Sequence, residues 1–364
     1  MNWNRELSGN ITTIQDLIRE TGMSAKEARR LQPILERFPM SIPPYYLSLI
    51  DWEDPADPIR KIAVPSPKEL DIQSTFDPSN EASNTVQQGI QHKYSSTAMI
   101  LSTQRCAMYC RHCFRKRLVG LEAKKETVES PEAAAAYVRA HPEINNVLIS
   151  GGDAFLNSNR RIREYLECFS SMEQLDFIRF GTRIPVVFPQ RIYEDEELLD
   201  ILAEYNEKKQ IYIVTHFDHP WELTPEALQA VRELIRRGII VKNQVVLMRG
   251  VNDSPEVLGD LLRKLTIEGI IPYYIFQCRP VGGVGHRFQV PLIEGIRIVD
   301  EARGDQNGQA KCVRYVMSHH TGKIEILGMS DDTHLVMKYH NSKYPGNKNR
   351  LFTIEPAEDQ CWLD

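Results

Sequence analysis

The 364-residue chain has no run of roughly 18 apolar residues and no apolar segment behind its first residues, Met1-Asn-Trp-Asn-Arg-Glu. That pattern leads us to expect a cytoplasmic protein with neither a membrane span nor a secretory leader. A basic excess is missing as well: 44 Lys and Arg stand against 49 Asp and Glu, a net charge of −5. A nucleic-acid partner, which favours a basic face, is therefore not expected. Of seven cysteines, Cys168, Cys278, Cys312 and Cys361 stand singly, without the paired spacings of a disulfide framework. Reduced thiols and a reducing compartment follow. Low-complexity segments are absent, and composition is ordinary for a globular protein too long for one small domain.

The remaining three cysteines form the run Cys106-Ala-Met-Tyr-Cys110-Arg-His-Cys113. Thiolates are soft ligands that select zinc or iron–sulfur clusters. Three of them leave one iron of a [4Fe–4S] cubane without a protein ligand, open to a substrate or cofactor. CxxxCxxC with an aromatic residue before its second cysteine, here Tyr109, is the signature of radical S-adenosylmethionine (SAM) chemistry. The competing reading is a zinc-stabilised, non-catalytic protein with His112 or a distant cysteine as fourth ligand. Structural zinc usually takes paired knuckles, which this run does not supply.

Residues 11–38 read as two charged amphipathic helices, with Ser24 as N-cap and Glu27 closing a capping box. Residues 39–91 are rich in Pro, Asp and Ser and read mostly as extended loop. From residue 97 apolar runs alternate with amphipathic stretches, giving strands at Thr97–Ser102, Asn146–Ser150, Ile178–Thr182, Ile211–Thr215, Gln244–Met248 and Tyr273–Gln277. Six such βα units predict an α/β fold, a parallel sheet curved into an open (βα)6 partial barrel. A helix and short strands follow. The expected organisation is an N-terminal helical and extended arm (1–91), the barrel (92–290) and a β-containing C-terminal extension (291–364).

Polar residues gather where these strands end, the rim that carries chemistry in α/β barrels. Cys106, Gly151-Gly152-Asp153, Arg183, His216 and Gln277-Cys278-Arg279 each close an apolar run. The two glycines permit close backbone approach to a ligand. Of the basic run Arg111, Arg115, Lys116 and Arg117, Arg115 reads as a bidentate carboxylate clamp beside the cluster. His216 and His219 are too closely spaced within a loop to argue for a metal pair. Lys323, after Thr321-Gly322 at a strand start, is either solvated or a Schiff-base lysine for pyridoxal phosphate (PLP).

The segments PPYYLSLIDWEDPADPIRK, CAMYCRHCFRKR, VLISGGDAFL, RFGTRIPVVFPQRI, THFDHP, QVVLMRGVND, PYYIFQC and GKIEI resemble the lysine 2,3-aminomutase family of radical SAM enzymes across nearly the whole chain. The resemblance implies a SAM-ligated [4Fe–4S] cluster, PLP held by a lysine, and an isomerase that moves an amino group between C2 and C3. It implies cluster ligation by Cys106, Cys110 and Cys113, and a SAM site lined by Gly151, Gly152, Asp153, His216 and Gln244. Arg115 would hold the substrate α-carboxylate and Lys323 the PLP. A low-potential donor such as flavodoxin or ferredoxin would supply electrons, and assembly into a homo-oligomer is compatible.

Three departures qualify the match. Where the family places two arginines for the PLP phosphate, this chain has Lys93 and Thr97. Its glycine run before the lysine is cut to Thr321-Gly322. The two aspartates that recognise a lysine side chain fall at Arg279 and near Ser318. These substitutions imply an amino acid other than free lysine, with glutamate first to consider; an Arg279 that turns outward or pairs with an acid such as Asp300 would leave a neutral substrate open. A PLP-independent radical SAM enzyme on the same barrel is the alternative.

Overall fold

The computed structural model describes residues 3–72, 74–118 and 126–363. Twelve strands form one sheet in chain order. They are β1 (Thr85–Gln87), β2 (Ile90–Tyr94), β3 (Thr97–Thr103), β4 (Asn146–Gly151), β5 (Phe177–Gly181), β6 (Ile211–Thr215), β7 (Ile240–Leu247), β8 (Ile271–Gln277), β9 (Arg314–His319), β10 (Gly322–Met329), β11 (Leu335–Ser342) and β12 (Leu351–Ile354). From β3 to β9 every pairing is parallel, and hairpins flank this block on both sides. The sheet is open, as expected of a partial barrel. It carries a seventh parallel strand, β9, beyond the six read from the sequence, and it runs on through the expected arm and extension boundaries.

Alternation along each strand divides its side chains between two faces. Val147, Ile178 and Ile211 lie in register on β4, β5 and β6, as do Ile149, Phe180 and Ile213, all fully buried. The intervening row, Met99, Leu148 and Arg179, lines an interior cavity. The helices between strands begin at polar caps whose side-chain oxygens accept from the first turn: Ser130, Ser158, Asp195, Thr224 and Ser254. Proline follows three of these caps, where its missing N–H costs nothing. Helix residues such as Leu166, Phe169, Leu202, Leu234 and Leu262 are fully buried. By about 25 cal/mol per Å² of apolar surface, each contributes roughly 2 kcal/mol.

The N-terminal arm holds short pieces rather than two long helices: Ile14–Thr21, Ala25–Arg29 and Gln32–Arg37. Ser24 does cap the second, accepting from the Glu27 N–H, but the Glu27 carboxylate goes to Arg60 at 2.6 Å and closes no capping box. Thr13 and Asp16 form the box instead. Residues 39–91 carry short helical turns (Pro44–Leu47, Pro58–Ala63) as well as loop.

This arm straps the loop that carries the clustered cysteines. Tyr109 N donates to Ser41 O at 3.0 Å, Arg111 N to Ile62 O at 2.8 Å, and Asn10 Nδ2 to Ala107 O at 2.7 Å. A loop whose polar backbone has fixed partners is an ordered loop. The strap is pinned by Glu69, a fully buried carboxylate that meets Arg111 and Lys116 at 2.5 Å and Arg287 at 2.9 Å. Burial alone would raise the Glu69 carboxyl, yet these cations hold it below its ordinary value.

Candidate active site

One cavity of about 550 Å³ receives every site residue put forward from the sequence. The cysteines Cys106, Cys110 and Cys113 line it. So do Gly151, Gly152, Asp153, His216 and Gln244, and likewise Lys93, Arg115, Arg279, Ser318 and Lys323. His219 is not among the lining residues. Its Nδ1 accepts from Trp221 N at 3.2 Å and caps a helical turn.

At the sulfur end all three cysteines are free thiols. Arg183 Nη1 donates to Cys110 Sγ at 2.8 Å, while its Nη2 meets Glu222 at 2.6 Å and Asp218 at 3.2 Å. Burial pushes the Cys110 thiol up to about 11, with Arg183 opposing. His112, the alternative zinc ligand, turns Nε2 toward Asp218 at 3.6 Å. Among the described residues no three His, Cys, Asp or Glu side chains converge on a single ion position. A cubane needs no such convergence, because each thiolate holds a different iron. The donor set and its ordered loop thus fit a three-thiolate cluster.

Beside the thiols, β4 ends in Gly151 at φ +118°, a conformation costly for any other residue. A Cβ on Gly151 would lie 2.2 Å from Thr103 O, and one on Gly152 would lie 2.2 Å from Arg105 O. The close approach these glycines allow is therefore to the backbone leading into the cysteine loop. Asp153 accepts from Thr182 Oγ1 at 2.5 Å, Arg183 N at 2.7 Å and Phe155 N at 3.0 Å, tying the ends of β4 and β5 together. His216 is held neutral, its pKa lowered to about 4 by burial and then by Arg183.

The far end holds Lys323. Its amine lies 3.9 Å over the Tyr274 ring and 5.5 Å from that of Phe276. Burial, with Arg179, Lys93 and Arg279 adding to it, lowers this amine to about 7. Lys93 is lowered likewise to about 7, by burial first and Arg279 second, and donates to His319 O across the open side of the barrel. Arg179 donates to Asn146 Oδ1 at 2.5 Å, and its buried Nε has no hydrogen-bond partner among the described residues. An amine that loses its proton near neutrality, beside Lys93 and an incompletely satisfied Arg179, fits PLP. The amine suits its aldehyde, and the cations suit its phosphate.

Between the two ends stand the arginines. Arg115 Nη2 meets Glu81 at 3.2 Å and Met99 Sδ at 2.9 Å, and its buried Nε has no hydrogen-bond partner among the described residues. Arg279 does not turn outward. It stacks 3.9 Å over Phe114 and donates to Ser318 Oγ at 3.0 Å, whereas the cation beside Asp300 is Arg303 at 3.9 Å.

Sequence reasoning missed Glu81 and Arg179. Arg179 did leave a signal, a charge between the buried Ile178 and Phe180 in the middle of a strand, which places it on the cavity face. Glu81 left none, because the segment around it has no periodicity.

Residues 100–262 match the radical SAM superfamily. A protein of Aquifex aeolicus (strain VF5), provisionally named as an L-lysine 2,3-aminomutase, is 38% identical over 341 residues, covering 93% of this chain and 90% of that one. The L-lysine 2,3-aminomutase of Clostridium subterminale is 36% identical, with 84% and 73% covered. The glutamate 2,3-aminomutase of Clostridioides difficile (strain 630) is 35% identical, with 85% and 72% covered.

Proposed function

Because the chain belongs to the lysine 2,3-aminomutase family of radical SAM enzymes, we propose that it moves the amino group between C2 and C3 of an amino acid whose side chain ends in a carboxylate, with glutamate the first compound to test. The observation that carries this reading is Arg279, a guanidinium facing the cavity that also holds Arg115, Lys323 and the three cysteines. Cys106, Cys110 and Cys113 would hold the cluster, the polar strand ends from Gly151 to Gln244 would receive SAM, and Lys323, Lys93 and Arg179 would hold PLP. When bound, these groups supply a 5′-deoxyadenosyl radical, fed by a low-potential donor such as flavodoxin or ferredoxin, and an electrophilic carbonyl that carries the amino group.

The chain's own residues do the positioning. Arg115 takes the α-carboxylate. Arg279, held over the Phe114 ring, takes the distal one through a charge-assisted, bidentate contact. A lysine side chain would bring an ammonium against Arg279, a desolvated like-charge contact costing several kcal/mol. Lys323 gives up its proton near neutral pH because burial and three neighbouring cations disfavour the ammonium.

Anaerobic reconstitution with iron, sulfide and PLP, followed by transfer of label from deuterated amino acids into 5′-deoxyadenosine, tests the proposal. Label should arrive from glutamate, and Cys110→Ala should lose both the cluster spectrum and SAM cleavage. Label from lysine and from neither glutamate nor aspartate overturns the substrate assignment.

A further inference from the structure

Eight lysine and arginine side chains line the cavity against two carboxylates, Asp153 and Glu81. Asp153 is consumed by Thr182, Phe155 and Arg183. Among the described residues that line the cavity, Glu81 is therefore the one acid left to the arginines between the two ends, with Asp77 acting on Arg279 from outside the lining. Glu81 comes from the arm, not from the barrel. Asp77 presents it, accepting the backbone N–H of Glu81 at 2.8 Å and of Ala82 at 3.0 Å. The turn is anchored across the cavity mouth by Ser79 Oγ on Ser318 O at 2.9 Å, and by Gly282 N on Thr75 O at 3.1 Å. Glu81 meets Arg115 at 3.2 Å through one oxygen and Arg117 at 3.1 Å through the other. Burial would raise its carboxyl, yet Arg115, Arg279 and Arg117 bring it down to about 2.

We propose that Glu81 is a specificity-determining residue, the built-in counter-ion of the Arg115 and Arg279 pair, which admits a ligand bearing two carboxylates and turns away one bearing a single carboxylate. This rests on Arg115 and Arg279 being carboxylate-binding residues. A monocarboxylate that displaces Glu81 from Arg115 exchanges one ion pair for another and brings no second carboxylate to Arg279, so it gains little. A dicarboxylate pairs both guanidinia at once, while Glu81 keeps its second contact, Arg117. Apart from Glu81 and Met99 Sδ, the Arg115 guanidinium has only long contacts, Nη1 to Ser150 Oγ and to Gly151 O at 3.4 Å each, so a carboxylate is its strongest available partner. Discrimination thus arises from competition inside the free protein as well as from contacts to the ligand.

The test is calorimetric binding of glutarate and butyrate, which share a chain but carry two carboxylates and one, to the full-length protein and to Glu81→Gln. Wild type should prefer glutarate by about tenfold or more, and Glu81→Gln should bind butyrate about tenfold tighter than wild type, so that the preference collapses. Ser79→Ala, which loosens the turn by removing its bond to Ser318 O and leaves every charge in place, should move the preference in the same direction by less, and it serves if Glu81→Gln fails to fold. An unchanged preference in a folded variant overturns the role of Glu81 while leaving the arginines' role intact. Failure of wild type and variants alike to bind either acid overturns the arginine reading, and this inference with it.

Discussion

The Lys323 amine provides a prediction that needs neither cluster nor SAM. With its pKa lowered to about 7 from 10.5, the amine at about pH 8 should be roughly nine-tenths neutral, against about 0.3% for an ordinary lysine. Only the neutral amine attacks an aldehyde. The sign follows: capture of pyridoxal, fixed by borohydride and located by peptide mapping, should rise through a midpoint near neutrality and level off where other lysines are only beginning to react. The midpoint is the diagnostic rather than the absolute rate, because a less basic amine is also a weaker nucleophile. Burial is the largest cause of the shift and the Arg179 charge the next, so Arg179→Leu should move the midpoint upward. Lys93 is also lowered to about 7, but its amine donates to His319 O, so label should concentrate on Lys323. A midpoint above about pH 9, or label spread evenly over surface lysines, would refute the reasoning.

Two further outcomes concern the support of the site. Glu69→Gln leaves Arg111, Lys116 and Arg287 buried without their shared carboxylate and should cost about 3–5 kcal/mol in urea unfolding; a loss below about 1 kcal/mol would show that the cations find other partners. Gly152→Ala puts a methyl 2.2 Å from Arg105 O, displacing the cysteine loop, and should lower the iron bound on reconstitution while far-UV circular dichroism stays near wild type.

The parts of this molecule legible in its sequence are those where local pattern and final environment agree. Ile211–Thr215 is a continuous apolar run and folds as read, because a parallel strand covered on both faces needs no polar alternation. The start of β7 was not read: Lys242 and Asn243 interrupt its apolar run, although Asn243 is buried and holds both backbone groups of Phe217. Strand β9 looked like part of a separate extension because nothing local to Arg314–His319 says that it pairs in parallel with β8. The cysteines, the glycines and Lys323 could be found by spacing and by resemblance. What joins them could not. The contacts of Glu81 to Arg115 and Arg117 span 34 and 36 positions, and Glu69 reaches Arg287 across 218, distances over which sequence periodicity carries no information.

That last span bears on how the protein is made. A ribosome delivers the arm first, the cysteine loop soon after, and Arg287 only when most of the chain has been synthesised. Until then Glu69 lacks one of its three cations, and the loop lacks the wall that Arg287 brings with it. Three nearby thiols on an unfinished nascent chain are exposed to oxidants and to stray zinc. The Glu69 contacts are complete only on a nearly finished chain, so iron and sulfide supplied to the folded apoprotein should load a larger fraction of chains than the same reagents supplied during synthesis.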